Sequence, residues 1–294
     1  MVKTKIIEEN EEQIRILLTD TDRAFVNAIR RTLMAETPKM AIDKVRFEMG
    51  TVEQDGEIWE TNGPLPDEMI AQRLAMIPIP TVHNEFYFQD ECPECADLVA
   101  RDRGCPLCTM IYTCKEFGTE GGRTITAGDM SYLGEARLNI TEKYHSIPLT
   151  KLSKGQMIEF YATAIMGRGN EHAKWSPVCG TTFTQRKIGV LNNKTKAKIL
   201  WGLKLTIKAK DFDGDRLEDL DMVEQLADDL NHVGPGTEES REFKDAITLE
   251  NVPGEFILSF ETDGSMTPRV AFEKAISELS GVFDEIKEDI ATVF

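Results

Sequence analysis

The sequence is short of positive charge. Its 294 residues carry 34 Lys and Arg against 51 Asp and Glu, a formal charge of −17, and such a chain lacks the clustered cations needed to hold phosphate backbones without sequence preference. Any service to nucleic acid would run through other proteins; an acidic balance of this size fits a salty cytosol equally well. Long apolar runs are missing too: none approaches the roughly 20 residues of a membrane span. The opening residues, MVKTKIIEENEE, turn charged where a signal peptide would need its apolar segment, so a cytoplasmic protein is expected. Catalytic signatures are absent. There is no G-x-S-x-G elbow, no H-E-x-x-H and no G-x-G-x-x-G after a strand. Gly167 and Gly169 are not followed by the Lys-Ser or Lys-Thr of a phosphate loop, and no cysteine follows Cys179.

What is present suffices for about two compact domains with a real core, 41% of the residues being hydrophobic. Five of the six cysteines, Cys92, Cys95, Cys105, Cys108 and Cys114, fall in one short stretch. In a reducing compartment such a cluster reads as a metal site before a disulfide framework. CPEC and CPLC are two C-P-x-C knuckles separated by nine residues, and each lets two thiolates converge. Together they make the tetrahedral four-thiolate set that zinc prefers, though four thiolates also hold iron–sulfur clusters. The His83-Asn84-Glu85 triplet upstream superficially matches the H-x-E of zinc deaminases. It fails on order and distance, and four cysteines would leave no open coordination position. The site is therefore expected to be structural.

Along the chain, Lys3 to Thr19 reads as a hairpin. Asp20 to Pro38 reads as a helix capped by Asp20 or Asp22, with Phe25, Ile29 and Leu33 on one apolar face and Arg30 and Arg31 in its middle. Met40 to Met49 reads as a strand that joins the hairpin in one sheet, with Ile42, Val45 and Phe47 inward. LPDEMIAQRLAMIPIP reads as a short helix between Pro66 and Pro78 with Met69, Leu74 and Met76 as its apolar side. Met110 to Glu116, Arg123 to Thr126 and Met157 to Ile165 read as strands. His172 reads as a hydrogen-bonded structural residue. KAKILWGLKLTIKAK alternates as one or two strands, and Leu217, Leu220, Val223, Leu226 and Leu230 mark an acidic amphipathic helix. Gly234 to Ser240 reads as a break. At the end comes a strand with Phe256, Leu258 and Phe260 on one face, turned by Gly264. Thr267 and Pro268 then open a long helix along which Phe272, Ile276, Leu279, Phe283, Ile286 and Ile290 recur four and three apart, the seam of a coiled-coil-like contact.

Several of these stretches resemble one family. FVNAIRRTL followed by a proline, DEMIAQRLAMIPI, GRGNEHAKWSP and FETDGSMTPRVAF are similar to segments of the alpha-type subunits of multisubunit DNA-directed RNA polymerases. That family includes the archaeal D polypeptide, which is the nearest in type, the eukaryotic third-largest subunit and the bacterial alpha amino-terminal domain. Gln72 stands where many members carry His. The resemblance implies an α+β fold: a discontinuous dimerisation domain of a sheet plus two helices in residues 1–45 and 251–294, interrupted twice. The first interruption is a mostly β insert, residues 46–185, with the cysteine loop at 92–114; the second is a small third α/β domain, residues 186–250, at the ferredoxin-like position. With no cysteine beyond Cys179, an iron–sulfur cluster is not expected there.

By the same resemblance, zinc is the favoured metal, held by Cys92, Cys95, Cys105 and Cys108 with Cys114 as a spare or substitute. The resemblance further implies a non-catalytic, cytoplasmic subunit of a nucleotidyltransferase complex that serves transcription. It would pair with subunit L through Phe25, Ile29, Leu33 and the C-terminal seam, hold subunits N and P, and dock the two large subunits. Arg30 and Arg31 match the family position facing the second-largest subunit. The competing reading is an independent zinc-knuckle nucleic-acid-binding protein or zinc enzyme, which predicts a stable monomer.

Overall fold

A computed structural model describes residues 2–54, 56–202, 206–232 and 245–293. Its elements, in chain order, are β1 (Lys3–Glu9), β2 (Gln13–Thr19), α1 (Arg23–Ala35), β3 (Lys39–Phe47), β4 (Thr51–Gln54), β5 (Glu57–Glu60), α2 (Asp67–Ala75), β6 (Thr109–Phe117), β7 (Arg123–Thr126), β8 (Ser131–Tyr132), β9 (Pro148–Leu152), β10 (Met157–Gly167), β11 (Val178–Leu191), α3 (Lys194–Gly202), β12 (Arg216–Leu217), α4 (Leu220–His232), β13 (Ile247–Thr262) and α5 (Pro268–Val293). The fold is α+β. A five-stranded sheet runs β1-β2-β13-β11-β12 and a four-stranded sheet β3-β10-β6-β8, with two-stranded pairs β4-β5 and β7-β9. The break expected at Gly234 to Ser240 lies outside the described residues. The chain divides into two compact units, Met1–Ile7 with Ile16–Val26 and Phe183–Leu258, and Glu8–Arg15 with Asn27–Thr182 and Ser259–Phe294.

In the larger unit, β10 is the central strand, antiparallel to both β3 and β6. The expectation that β3 joins the N-terminal hairpin in one sheet is corrected, because its ladder runs along β10 from Phe47↔Phe160 to Lys39↔Gly167. The register shifts between Thr163 and Ala164, so that Asp43 has no opposite residue. This extra residue flips the alternation, and for that reason Met40 and Ile42 on one side of it and Val45 and Phe47 on the other all pack on the same core. In α2 the buried side is Ile70 and Leu74, one turn apart, while Met69 and Met76 are exposed. Leu74 lies inward as expected, whereas Met69 and Met76, apolar but exposed, are corrected: Ile70 faces the β core instead.

The GRGNEHAKW segment is a packing device. A Cβ on Gly169 would fall 2.0 Å from the carbonyl oxygen of Met34, and one on Gly167 would strike the ring of Trp175, so these glycines permit close approach and do not cradle a phosphate. Arg168 between them donates to the carbonyl of Glu36 and, at 2.7 Å, to Glu278 of α5, and it stacks on the Phe88 ring. Burial pushes the Glu278 carboxyl up, but its Lys274 and Arg168 partners outweigh this and leave it lowered. His172 accepts from the Lys174 amide through Nδ1 at 3.1 Å, the structural role expected of it. Buried Lys174 reaches the bulged Asp43 at 2.7 Å, and buried Lys39 donates to the Lys174 carbonyl at 2.8 Å and to Asp263.

Gly169→Ala should therefore destabilise the chain by about 1–3 kcal/mol, the usual cost of forcing atoms into a packed site. Gly121→Ala, whose added carbon meets nothing within 4 Å, should leave the thermal midpoint alone. Equal midpoints for the two variants would refute the close-approach account.

The smaller unit has its own core, in which Leu191, Ile207, Phe212, Leu217, Val223, Leu226 and Ile247 are buried. Here a second expectation is corrected: KAKILWGLKLTIKAK does not begin as a strand, because α3 covers Lys194–Gly202. The side chain of Asn193 accepts from the amides of Thr195 and Lys196, an N-cap that starts a helix whatever the alternation after it suggests. Likewise Asp219 caps α4, accepting from the Met222 amide at 3.0 Å, and this excludes Leu217 from the helix; it lies in β12.

Candidate metal centre and apolar seam

The cysteine lobe leaves the body after α2 and returns as β6. Each C-P-x-C knuckle is a tight turn with proline at its second position, which fixes φ for the bend. The amide of Cys95 bonds to the carbonyl of Cys92 at 3.1 Å, and that of Cys108 to Cys105 at 3.1 Å. A bond from the Tyr87 amide to the Leu107 carbonyl, 3.0 Å, ties the second knuckle to the incoming chain.

These turns bring the four sulfurs of Cys92, Cys95, Cys105 and Cys108 within 4.8 Å of one another. The Cys92 and Cys105 sulfurs are 3.5 Å apart and those of Cys105 and Cys108 3.8 Å. A zinc–sulfur bond of about 2.3 Å places neighbouring corners of a tetrahedron about 3.8 Å apart, so the set fits a four-thiolate metal ion. A disulfide, at about 2.05 Å, it does not resemble. Cys92, Cys95 and Cys108 are buried together, with Cys105 packed beside them; the lobe's interior is the thiols themselves. Amide N–H groups of Gly104 and Cys105 donate to the Cys95 sulfur and lower that thiol to about 7, whereas burial raises Cys105 and Cys108. Of these three thiols Cys95 is the readiest to ionise.

Cys114 is not part of the group and is corrected as a substitute ligand. It sits within β6, opposite Phe160, buried in the β core, and burial pushes its thiol up to about 12. Cys179 stands apart and exposed. His83 bonds through Nε2 to the Pro38 carbonyl at 2.8 Å and is not a ligand.

The second candidate site is the seam. In α5, Ala271 and Ala275 are fully buried and Phe272, Ile276 and Leu279 half-buried, while Phe283 is 57% exposed, Ile286 48% and Ile290 55%. Val282 is exposed as well; it sits next to Phe283 in the sequence and lies off the four-and-three spacing that marks the seam. On α1 the expected outward face is corrected: Ile29 and Leu33 are fully buried in this chain and cannot themselves meet a partner, and Val26 accompanies them. Phe25 is half-buried and Met34 exposed. Asp22 is the cap, accepting from the Phe25 amide at 2.8 Å. Arg30 donates to Asn27 at 3.1 Å, and Arg31 is exposed. Among the described residues no helix is long and apolar enough to cross a membrane.

Residues 15–283 match the family model of the RNA polymerase Rpb3/Rpb11 dimerisation domain. The DNA-directed RNA polymerase subunit Rpo3 of Picrophilus torridus is 28% identical over 295 residues, 97% of this chain and 98% of its own length. Rpo3 of Thermoplasma volcanium is 28% identical over 95% of each chain. The DNA-directed RNA polymerase II subunit rpb3 of Dictyostelium discoideum is 34% identical over 64% of this chain and 59% of its own.

Proposed function

The chain belongs to the RNA polymerase Rpb3/Rpb11 dimerisation-domain family, and from that membership we propose that it is an assembly subunit of an archaeal-type multisubunit DNA-directed RNA polymerase. It supplies geometry to a nucleotidyltransferase complex in the cytoplasm and carries no catalytic residue of its own. It pairs with the smaller subunit of the same fold, subunit L; the pair holds subunits N and P and docks the two large subunits, with Arg30 and Arg31 turned to the second-largest. The dimerisation domain is residues 1–45 with 251–294, interrupted by the insert at 46–185 and the small domain at 186–250. Cys92, Cys95, Cys105 and Cys108 hold one zinc ion, which supplies a cross-link in place of an apolar interior.

The observation that carries the pairing is the apolar strip on α5, from half-buried Phe272, Ile276 and Leu279 to exposed Phe283, Ile286 and Ile290. A lone soluble chain gains nothing by leaving such a row in water; a second helix removes it. Co-expression with and without subunit L, followed by light scattering, tests the reading. The expected result is a one-to-one heterodimer, and poor solubility of the chain alone. A well-behaved monomer indifferent to subunit L would refute it and favour the independent zinc-knuckle protein.

A further inference from the structure

The nine residues between the knuckles must double back so that Cys105 meets Cys92, yet none of them is buried. No buried apolar side chain pins that turn, and beside its backbone bonds, from the Leu98 amide to the Cys95 carbonyl and from the Asp102 amide to that of Val99, a side-chain brace holds it. One side chain provides it. Arg103 donates from Nε to the carbonyl of Leu98 at 3.0 Å and from Nη2 to the carbonyl of Ala96 at 3.1 Å, gripping the segment that immediately follows Cys95. The residues next to it in sequence, Gly104 and Cys105, are those whose amides donate to the Cys95 sulfur. Gly104 adopts φ 153°, in the region that favours glycine. A displacement of Arg103 would carry both amides away from Cys95 and the Cys105 sulfur away from Cys92.

We propose that Arg103 is the positioning residue of the four-cysteine centre: its two-pronged guanidinium bridge to Ala96 and Leu98 holds the second knuckle against the first, so that the sulfurs converge on a zinc-sized ion. The inference rests on reading the cysteine cluster as a metal site. Arg101, also between the knuckles, is mostly exposed and among the described residues pairs only with its neighbour Asp102, so it carries the same charge without the bridge.

The test uses the full chain and zinc itself, titrated against a chromophoric chelator. Arg103→Ala should weaken zinc binding 10- to 100-fold, the usual effect of losing a group that orients metal ligands, whereas Arg101→Ala should change it less than twofold. Arg103→Lys keeps the charge but not the planar fork and should recover less than half of the loss on a logarithmic scale. Cobalt-loaded Arg103→Ala should retain the absorption of a four-thiolate site at saturating metal, and the metal-free variant should melt where the metal-free wild type does. Unchanged zinc affinity in Arg103→Ala, full recovery by lysine, or a lowered metal-free melting point would each overturn the proposal. A wild-type chain that binds no zinc would overturn the metal reading beneath it, a distinguishable result.

Discussion

Phe283→Glu or Ile286→Glu should abolish pairing with subunit L while leaving this chain folded. Both side chains are largely in water in the isolated chain, so a carboxylate there costs the monomer almost nothing. In the pair the same carboxylate would lie against apolar side chains without a partner, and such a burial is prohibitive. Loss of one central anchor is worth roughly 2–4 kcal/mol, or about 30- to 800-fold in dissociation constant. Leu279→Glu, at a half-buried position, should do the same with some loss of monomer stability. Glu288→Lys, off the seam, should leave pairing intact. Ile29→Glu should fail differently: Ile29 is 1% exposed inside this chain, so the variant should lose its circular-dichroism signal and thermal transition before pairing is ever in question. Light scattering on the mixed subunits reads the first effect and a thermal melt the second. Heterodimer retained by both Phe283→Glu and Ile286→Glu would remove α5 as the interface.

Replacing one ligand should empty the metal centre. In Cys92→Ser the zinc content, measured by elemental analysis after gel filtration, should fall from about one per chain to near zero. Structural zinc contributes apparent free energies of about 10–16 kcal/mol in small zinc-finger peptides, and a hydroxyl is a poor substitute for a thiolate. The lobe has no other interior, because its buried group consists of cysteines alone; residues 92–108 should become susceptible to protease in the variant. Cys114→Ser should keep its zinc, since Cys114 faces the β core, and should instead lower the thermal midpoint by placing a hydroxyl among apolar neighbours. Zinc lost equally from both variants would return Cys114 to the ligand set.

Much of this was legible in the residues. Alternation and β-branching marked β6, β7 and β10 to within two residues at each end and the second half of β13 only, whose start at Ile247 precedes the expected GEFILSF run. Thr267 and Pro268 marked the start of α5, and the doubled C-P-x-C spacing marked four sulfurs that converge. Most departures share a cause: they concern what a segment packs against. Nothing local says that β3 ladders with β10, and the bulge at Asp43 disguises the face of that strand by breaking its period. On α1, periodicity identified a real apolar stripe, but whether Ile29 and Leu33 meet their own chain or another is a property of the whole fold. In α3 a visible cue, Asn193, was overridden by an alternating pattern. Arg103 had a faint signature, a basic residue followed by glycine just ahead of the second knuckle, that only the two carbonyl contacts make meaningful.

The strand order β1-β2-β13-β11-β12 has a consequence for synthesis. β2 ends at Thr19 and its neighbour β13 begins at Ile247, so at 5–20 residues per second a ribosome needs roughly 10–45 s to deliver one after the other. Throughout that interval Ile14, Ile16 and Leu18, all enclosed in the finished molecule, wait on the nascent chain without this neighbouring strand. β2 thus emerges long before the strand that completes its place in the sheet, and it is a part that a chaperone would have to shield.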